Sequence, residues 1–331
     1  MIRPKRCGVF ARFLLTEDAL VEALAAVIQA RPAPRVLLGI GDDAAVWQPS
    51  RSHRSVITTD ALVEGVHFTR ALSWDEIGQR AMASNISDIA AMGARSVLAT
   101  VALGLPPALE TDDVLELYRG MLAVANDAGC SIAGGDITAA PLLTIAITVV
   151  GEVRPSNLKT RAGAKPGDVL AVTGELGASR AGLQGSSDEA ALRAHRTPAP
   201  RWREGSWLGA SRNVHAMMDL SDGLSTDLTR LCIRSHVGAL IETVPIARSA
   251  SAMAQARGED ATQYALAGGE DFELLVAIQP RAFGYLASRF AAHFGKPLHT
   301  IGTVRTGSCI ALLNGSVETP ISPMGWDHLQ R

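Results

Sequence analysis

Five short aspartate-bearing motifs lie along the chain: Gly41-Asp42-Asp43, Thr58-Thr59-Asp60, Asn85-Ile86-Ser87-Asp88, Gly134-Gly135-Asp136 and Asp219-Leu220-Ser221-Asp222-Gly223. Carboxylates and hydroxyls are hard oxygen donors. Brought together they make a site for a hard cation, and Mg²⁺ beside phosphate is the commonest use of such a site. Four of the five motifs follow apolar runs, which predicts carboxylates at strand ends, placed to converge.

Taken singly, each motif has a plainer reading. An adjacent acid pair such as Asp42-Asp43 is usually a solvated turn. Gly39-Ile40-Gly41-Asp42-Asp43-Ala44 has the outline of a dinucleotide fingerprint. That motif needs a helix directly after its glycines, and Trp47-Gln48-Pro49-Ser50 reads as a loop. A lone histidine such as His67 is more often structural than catalytic. Asp88 is more telling, because an aspartate inside an apolar, small-residue helix is costly to bury without a cation or a donor. Gly134 and Gly135 would let a ligand approach backbone N–H groups. Ser221 is a candidate cap for the helix after it. Thr173-Gly174-Glu175-Leu176-Gly177 is a fair but common phosphate cradle. The chain has no P-loop, no protein-kinase HRD or DFG set, no nucleophile elbow and no zinc spacing.

The elements that must carry these motifs form two α/β stretches. At 331 residues the chain exceeds the roughly 100–200 of one domain, so two domains are expected. Helices are predicted over about 8–31, Trp74–Met92, Asp112–Ala128, from Ser179, Thr226–Ser235 and Arg281–Phe294. Strands are predicted at Val36–Ile40, Val56–Thr58, Val97–Leu103, Leu142–Val150, Val169–Val172, Ala239–Ile241, Phe272–Ile278, Thr300–Val304 and Cys309–Leu313. Ser131–Ala133 leads into Gly134-Gly135-Asp136. The polar stretch near 151–165 marks the boundary, giving domains 1–153 and 154–331. Gln184–Pro200 reads as a loop with a short helix of open role.

Composition narrows the classes. The hydrophobic share of 47% and charged share of 19% describe a chain able to bury large cores. A net charge of −2 and 5% aromatics give no case for nucleic acid or an anionic membrane. Cys7, Cys130, Cys232 and Cys309 are scattered and read as reduced thiols of a cytoplasmic protein. No secretory leader and no run of about 18 apolar residues is evident.

In this order, the motifs resemble the thiamine-monophosphate kinase family, within the AIR-synthetase-like (PurM-like) fold group. The resemblance runs nearly end to end. It includes Thr59-Asp60-Ala61-Leu62-Val63-Glu64-Gly65-Val66-His67-Phe68, Asn85 to Gly93, Arg161 to Asp168, Gly268-Gly269-Glu270-Asp271-Phe272-Glu273-Leu274 and Gly325-Trp326-Asp327-His328. It implies an α/β (α+β) two-domain fold, with an N-terminal mixed sheet and helices forming a dimer barrel and a C-terminal α/β sandwich. It implies ATP-dependent phosphorylation of thiamine monophosphate to thiamine diphosphate by a homodimer with several Mg²⁺ ions. By motif match, Asp43, Thr58, Thr59, Asp60, Asp88, Asp136, Asp219 and Asp222 would hold Mg²⁺. Tyr118, Gly135, Asp136, Arg161 and Ser221 would contact ATP. His67, Glu270 and Trp326 would contact thiamine monophosphate, and no general base is expected. The rivals are an aminoimidazole-ribotide synthetase or selenophosphate synthetase of the same fold group, and a non-catalytic nucleotide-binding regulator.

Overall fold

The computed structural model describes residues 17–28, 35–38 and 46–325. The start of the expected first helix, Gly41-Asp42-Asp43, Cys7 and Trp326 lie outside the described residues.

The N-terminal half is a helix-backed mixed sheet. Its elements are α1 (Glu17–Ile28), a small ladder of β1 (Val36–Leu38) with β2 (Val46–Trp47), β3 (Arg54–Val63), α2 (Trp74–Ala91), β4 (Arg95–Leu105), α3 (Thr111–Ala128), β5 (Ser131–Ala139) and β6 (Thr144–Val153). The four-stranded sheet runs β3-β6-β4-β5, with β4 and β5 parallel and the other pairs antiparallel. One face is dry. Ile145, Ile147 and Val149 of β6 alternate into a core with Ile77, Met82 and Ile86 of α2 and Leu117 and Met121 of α3. Leu20, Leu24 and Ile28, at the helical spacing read from the sequence, bring α1 onto the same core.

Helix α2 is the centre of this half. A capping box starts it: Ser73 Oγ accepts from Glu76 N–H (3.2 Å) while Glu76 Oε2 accepts from Ser73 N–H (2.8 Å). Its neighbours come unusually close. A Cβ on Gly78 would stand 2.0 Å from the Leu117 carbonyl oxygen of α3, and one on Gly120 of α3 would stand 2.0 Å from the Asp75 carbonyl oxygen. The small residues of the sequence therefore permit backbone-to-backbone packing.

The C-terminal half is a sandwich. Its strands are β7 (Val169–Val172), β8 (Val214–Asp219), β9 (Gly238–Ile241), β10 (Leu274–Ile278), β11 (His299–Arg305), β12 (Ile310–Asn314) and β13 (Val317–Pro320). Its helices are α4 (Ala178–Leu183), α5 (Glu189–Arg196), α6 (Trp202–Gly209), α7 (Leu224–Ser235), α8 (Arg248–Arg257), α9 (Ala261–Leu266) and α10 (Pro280–Phe294). The sheet order is β13-β12-β9-β11-β7-β10-β8. Strand parity splits its core: Leu170, Val172, Ala216 and Met218 pack with Leu228 and Leu231 of α7. Ala171, Met217, Leu274 and Val276 face the other way, onto Phe290 of α10 and Leu208 of α6. Burial on both faces explains the unbroken apolar run of β10.

Three expectations need correction. Thr58-Thr59-Asp60 and Gly134-Gly135-Asp136 do not end strands; they lie inside β3 and β5. Gly223, at φ +102°, occupies the N-cap of α7, and no side chain caps it, so Ser221 is not the cap. The helices α6, α8 and α9 and the strand β13 were not anticipated; α8 buries only Ser249, Ala250 and Ala254, too small to mark a periodic apolar stripe.

Gly78→Ala tests the packing of α2. Helix propensity alone favours alanine by ~1 kcal/mol. The clash with Leu117 should instead destabilise the protein by about 1–3 kcal/mol in denaturant titration, the range of core overpacking. A gain in stability would show that α2 and α3 separate readily.

Candidate active site

One turn of α2 joins the two halves. Asn85 is fully buried; its Oδ1 accepts from Asp60 N–H of β3 (3.1 Å) and its amide donates to Ala81 O (3.0 Å). Ile86 enters the N-terminal core. Ser87 Oγ donates to Oδ2 of Asp219, the last residue of β8 (2.8 Å). Asp88 Oδ2 accepts from Thr58 Oγ1 of β3 (2.5 Å). The Asn85-Ile86-Ser87-Asp88 motif thus places two carboxylates, one from each half, beside a single helical turn.

These carboxylates are poorly solvated. Asp88 is pushed up from 3.8 to about 7, chiefly by burial and then by the charges of Asp219 and Asp60. The Thr58 hydroxyl and the Arg161 charge oppose the shift. Asp219, 2% exposed, is pushed up to about 6, again chiefly by burial, with the Ser87 hydrogen bond and Arg161 opposing. A carboxylate offers about four acceptor positions, and each of these two has one hydroxyl donor. The donors are all oxygen, which fits a hard cation.

The expected convergence is only partial. Among the described residues no three acidic, His or Cys side chains form a metal-holding group. Thr58 and Asp60 lie on the α2 side of β3. Thr59, one residue out of phase, turns its hydroxyl to the opposite face, where it meets Thr148 Oγ1 (2.9 Å) and Ile147 O (3.0 Å). Asp222 pairs with Arg230, and Arg230 Nη1 also meets Asp227 Oδ1 (2.8 Å). Asp136 lines a cavity of about 120 Å³ with Gly135, Tyr118 and the α1 residues Val21 and Leu24. Gly135 is sterically required there, since a Cβ would stand 1.8 Å from the Val101 carbonyl oxygen. Tyr118 is buried, which raises its phenol.

The loop 268–273 forms a second wall. Glu270 and Phe272 adopt φ +61° and +48°, left-handed conformations that cost non-glycine residues about 1–3 kcal/mol each. Both are clamped to the β8–α7 turn: Glu270 N–H donates to Ser221 O (2.7 Å) and Phe272 N–H to Leu220 O (2.9 Å). Asp271 accepts from Gly177 N–H (2.7 Å) and Ser179 N–H (3.2 Å) at the start of α4; burial, the largest influence, pushes it up to about 7. Burial would raise Glu273 too. Its bidentate pair with Arg201 (2.5 and 2.8 Å) and the Thr173 hydroxyl (2.6 Å) hold it below the usual carboxylate range.

Glu270 Oε1 meets Arg80 Nη2 of α2 (2.7 Å), and the same Nη2 donates to His67 O (3.3 Å). His67 Nδ1 accepts from Val63 N–H (3.0 Å), so the neutral ring carries its proton on Nε2. His67 and Glu270, separated by 203 positions (270 − 67 = 203), are therefore brought together. The C-terminal segment reaches this region as well. Gly325 N–H donates to Thr226 Oγ1 (3.0 Å), and a Cβ on Gly325 would stand 1.7 Å from Asp222 O. Arg80, Asp227 and Arg230 were not singled out from the sequence, and Asn85 and Ser87 were named within their motif without a role of their own. The available signal was a charge or polar group on an otherwise apolar helix.

Comparison with known proteins identifies the family. The family described as AIR synthase related protein, N-terminal domain, matches residues 41–153, and AIR synthase related protein, C-terminal domain, matches 165–307. The thiamine-monophosphate kinase of Rhodopirellula baltica is 38% identical over 311 residues, covering 90% of this chain and 93% of the relative. The solved thiamine-monophosphate kinase of Stenotrophomonas maltophilia superposes with a TM-score of 0.81 at 33% identity, covering 92% of this chain and 98% of that one. A relative solved in complex with AMPPCP and TMP superposes at 0.75 with 28% identity, covering 95% and 97%. The chain belongs to the thiamine-monophosphate kinase family, with the PurM-like fold.

Proposed function

We propose that this protein transfers the γ-phosphoryl group of ATP to the phosphate of thiamine monophosphate, giving thiamine diphosphate. The observation that carries this reading is the pair Asp88 and Asp219, held beside one turn of α2 within the electrostatic reach of Arg161. A phosphate monoester is already anionic near neutral pH, so its attack needs no general base. The obstacle is repulsion between two phosphates. Mg²⁺, when bound, supplies the neutralising charge. Asp43, Thr58, Asp60, Asp88, Asp136, Asp219 and Asp222 would hold it, with the Thr59 hydroxyl excluded by its orientation. Arg161 adds a permanent positive charge. Gly135, Asp136 and Tyr118, lining one cavity, with Ser221 at the β8–α7 turn, form the ATP side. His67, Glu270 and Trp326 form the acceptor side, where Glu270 and the Trp326 ring suit a cationic thiazolium.

We further propose a division at 153/154 and a homodimer formed through the N-terminal sheet. Ile57, Thr59, Ala61, Thr100 and Ala102 are exposed on the face away from α2, a small and apolar surface that a second copy would cover. Among the described residues no helix is long and apolar enough to cross a membrane.

ADP release with thiamine monophosphate, compared with thiamine and aminoimidazole precursors, tests the reaction; no turnover with any acceptor would favour a regulator. Asp88→Asn should lower kcat by at least about two orders of magnitude, the scale of a lost transition-state electrostatic contact. Its thermal unfolding should be no lower than wild type, because a raised, buried carboxyl is removed. Near-normal turnover would end the assignment of Asp88. Ile57→Glu should shift sedimentation toward the monomer; an unchanged species would place the interface elsewhere.

The carboxyls also set a pH dependence. Asp88 and Asp219 titrate above their ordinary 3.8, so they oppose folding as pH rises from about 4 through about 7. His195 acts oppositely: burial, then Arg80, pushes it down from 6.5 to about 4, so it adds stability as pH rises from about 4 to 6.5. The gain in Tm on adding Mg²⁺ isolates the carboxyls. It should be larger at about pH 8 than at about pH 5.5, where protons compete for the same oxygens. An equal gain at both pH values would place the ion elsewhere.

A further inference from the structure

Among the described residues Arg80 is the one strongly buried cation facing the proposed acceptor wall, and it has no task in the phosphoryl transfer proposed above. It is 3% exposed on α2, a helix otherwise filled there by Ile77, Ala81 and Ala83. Its guanidinium touches three separate pieces of chain. Nη2 donates to Glu270 Oε1 (2.7 Å) and to His67 O (3.3 Å), and Nη1 donates to the His195 carbonyl of α5. Among the described residues its Nε has no hydrogen-bond partner.

The arrangement is costly for stability alone. Burying a guanidinium against a carboxylate that is itself 36% exposed recovers little of the desolvation cost. An apolar residue of similar length would pack on α2 without that cost. What the guanidinium provides is geometry. It fixes one oxygen of Glu270 in a loop already held at a left-handed φ, and it ties the His67 turn into the same frame. The second oxygen, Oε2, has His195 Nδ1 at 3.9 Å, beyond hydrogen-bond distance. His195 Nδ1 lies instead 3.3 Å from Arg80 Nη1, so Oε2 has no hydrogen bond to His195.

We infer that Arg80 is the positioning residue of the acceptor pocket, holding Glu270 and the His67 turn in register for a phosphate ester that bears a cationic heterocycle. The inference rests on the acceptor-side reading of Glu270. It also gives the 184–200 segment a part: α5 supplies the His195 carbonyl as the third point to which the guanidinium is tied.

The test is steady-state kinetics on the full-length protein carrying Arg80→Met, Arg80→Lys, Glu270→Gln and the Met/Gln double change. Arg80→Met should raise KM for thiamine monophosphate about tenfold or more and leave KM for ATP within about twofold, the pattern of a lost ground-state contact to one substrate. Arg80→Lys keeps the charge but cannot reach all three acceptors, so it should recover part of the loss. The double variant should match Glu270→Gln alone, because the two side chains act as a unit. If Glu270→Gln raises the thiamine-monophosphate KM while folded Arg80 variants do not, or raise both KM values equally, Arg80 has no positioning role and the acceptor reading stands. If Glu270→Gln leaves that KM unchanged, the acceptor reading of Glu270 falls and this inference with it. Should Arg80→Met fail to fold, Arg80→Lys carries the same comparison, and an unchanged thiamine-monophosphate KM in it overturns the proposal.

Discussion

The hydrogen bonds of a single helical turn organise the rest of the molecule. Residues 85–88 send Asn85 and Asp88 to β3 and Ser87 to the end of β8. Neither half alone brings both carboxylates together: Asp88 belongs to the helix of one, Asp219 to a strand end of the other. The joint must therefore be rigid, and the sequence around it is chosen for that. Gly78 lets α3 approach the α2 backbone, and Gly205 of α6 stands where a Cβ would lie 2.3 Å from Ala90 O. α2 is thus wedged between helices of both halves, and the carboxylates inherit its position.

That rigidity is directed against the protein's own electrostatics. Two buried acids near Asp60 repel one another, and Arg161 offsets the repulsion only in part. A chain selected for stability alone would place apolar side chains there. A site that must accept cations and then phosphates needs the opposite: oxygens held in place before binding, so that little reorganisation remains when charge arrives. The upward shifts of Asp88 and Asp219 in the free protein follow from the same design.

Much of this was legible in the sequence. α2, α3, β7, β9, β11 and α10 fall within a few residues of the expected bounds, because each combines a clear period with a clear stop. The aspartate motifs stand out in the sequence as a set, but two of them lie inside strands rather than at strand ends. A strand that continues past its apolar run, as β3 and β5 do, looks ended where its exposed residues begin. Parity then decides what composition cannot. Thr58 and Thr59 are chemically equal donors, yet adjacent strand residues face opposite sides, so only one hydroxyl meets Asp88. Arg80 and His195 escaped notice for a different reason. Their partners lie 190 and 115 positions away, and no local pattern encodes such contacts.

The acceptor wall shows how strain and charge are combined. Glu270 and Phe272 hold unfavourable backbone conformations, which persist only where surrounding contacts over-determine them. Those contacts are visible on every side. Two backbone bonds tie the loop to the β8–α7 turn, Asp271 caps the turn into α4, and Glu273 is locked by Arg201 and Thr173. The loop is therefore anchored on four of its residues through the C-terminal half. Only Glu270 looks across to α2, through Arg80. The same loop that carries the proposed acceptor contact is thus fastened to the turn bearing Asp219 and Asp222, so a shift of this wall must move the carboxylates with it. The proposed acceptor and phosphate sites are thus set by one mechanical unit, which is what an in-line transfer between two bound anions requires.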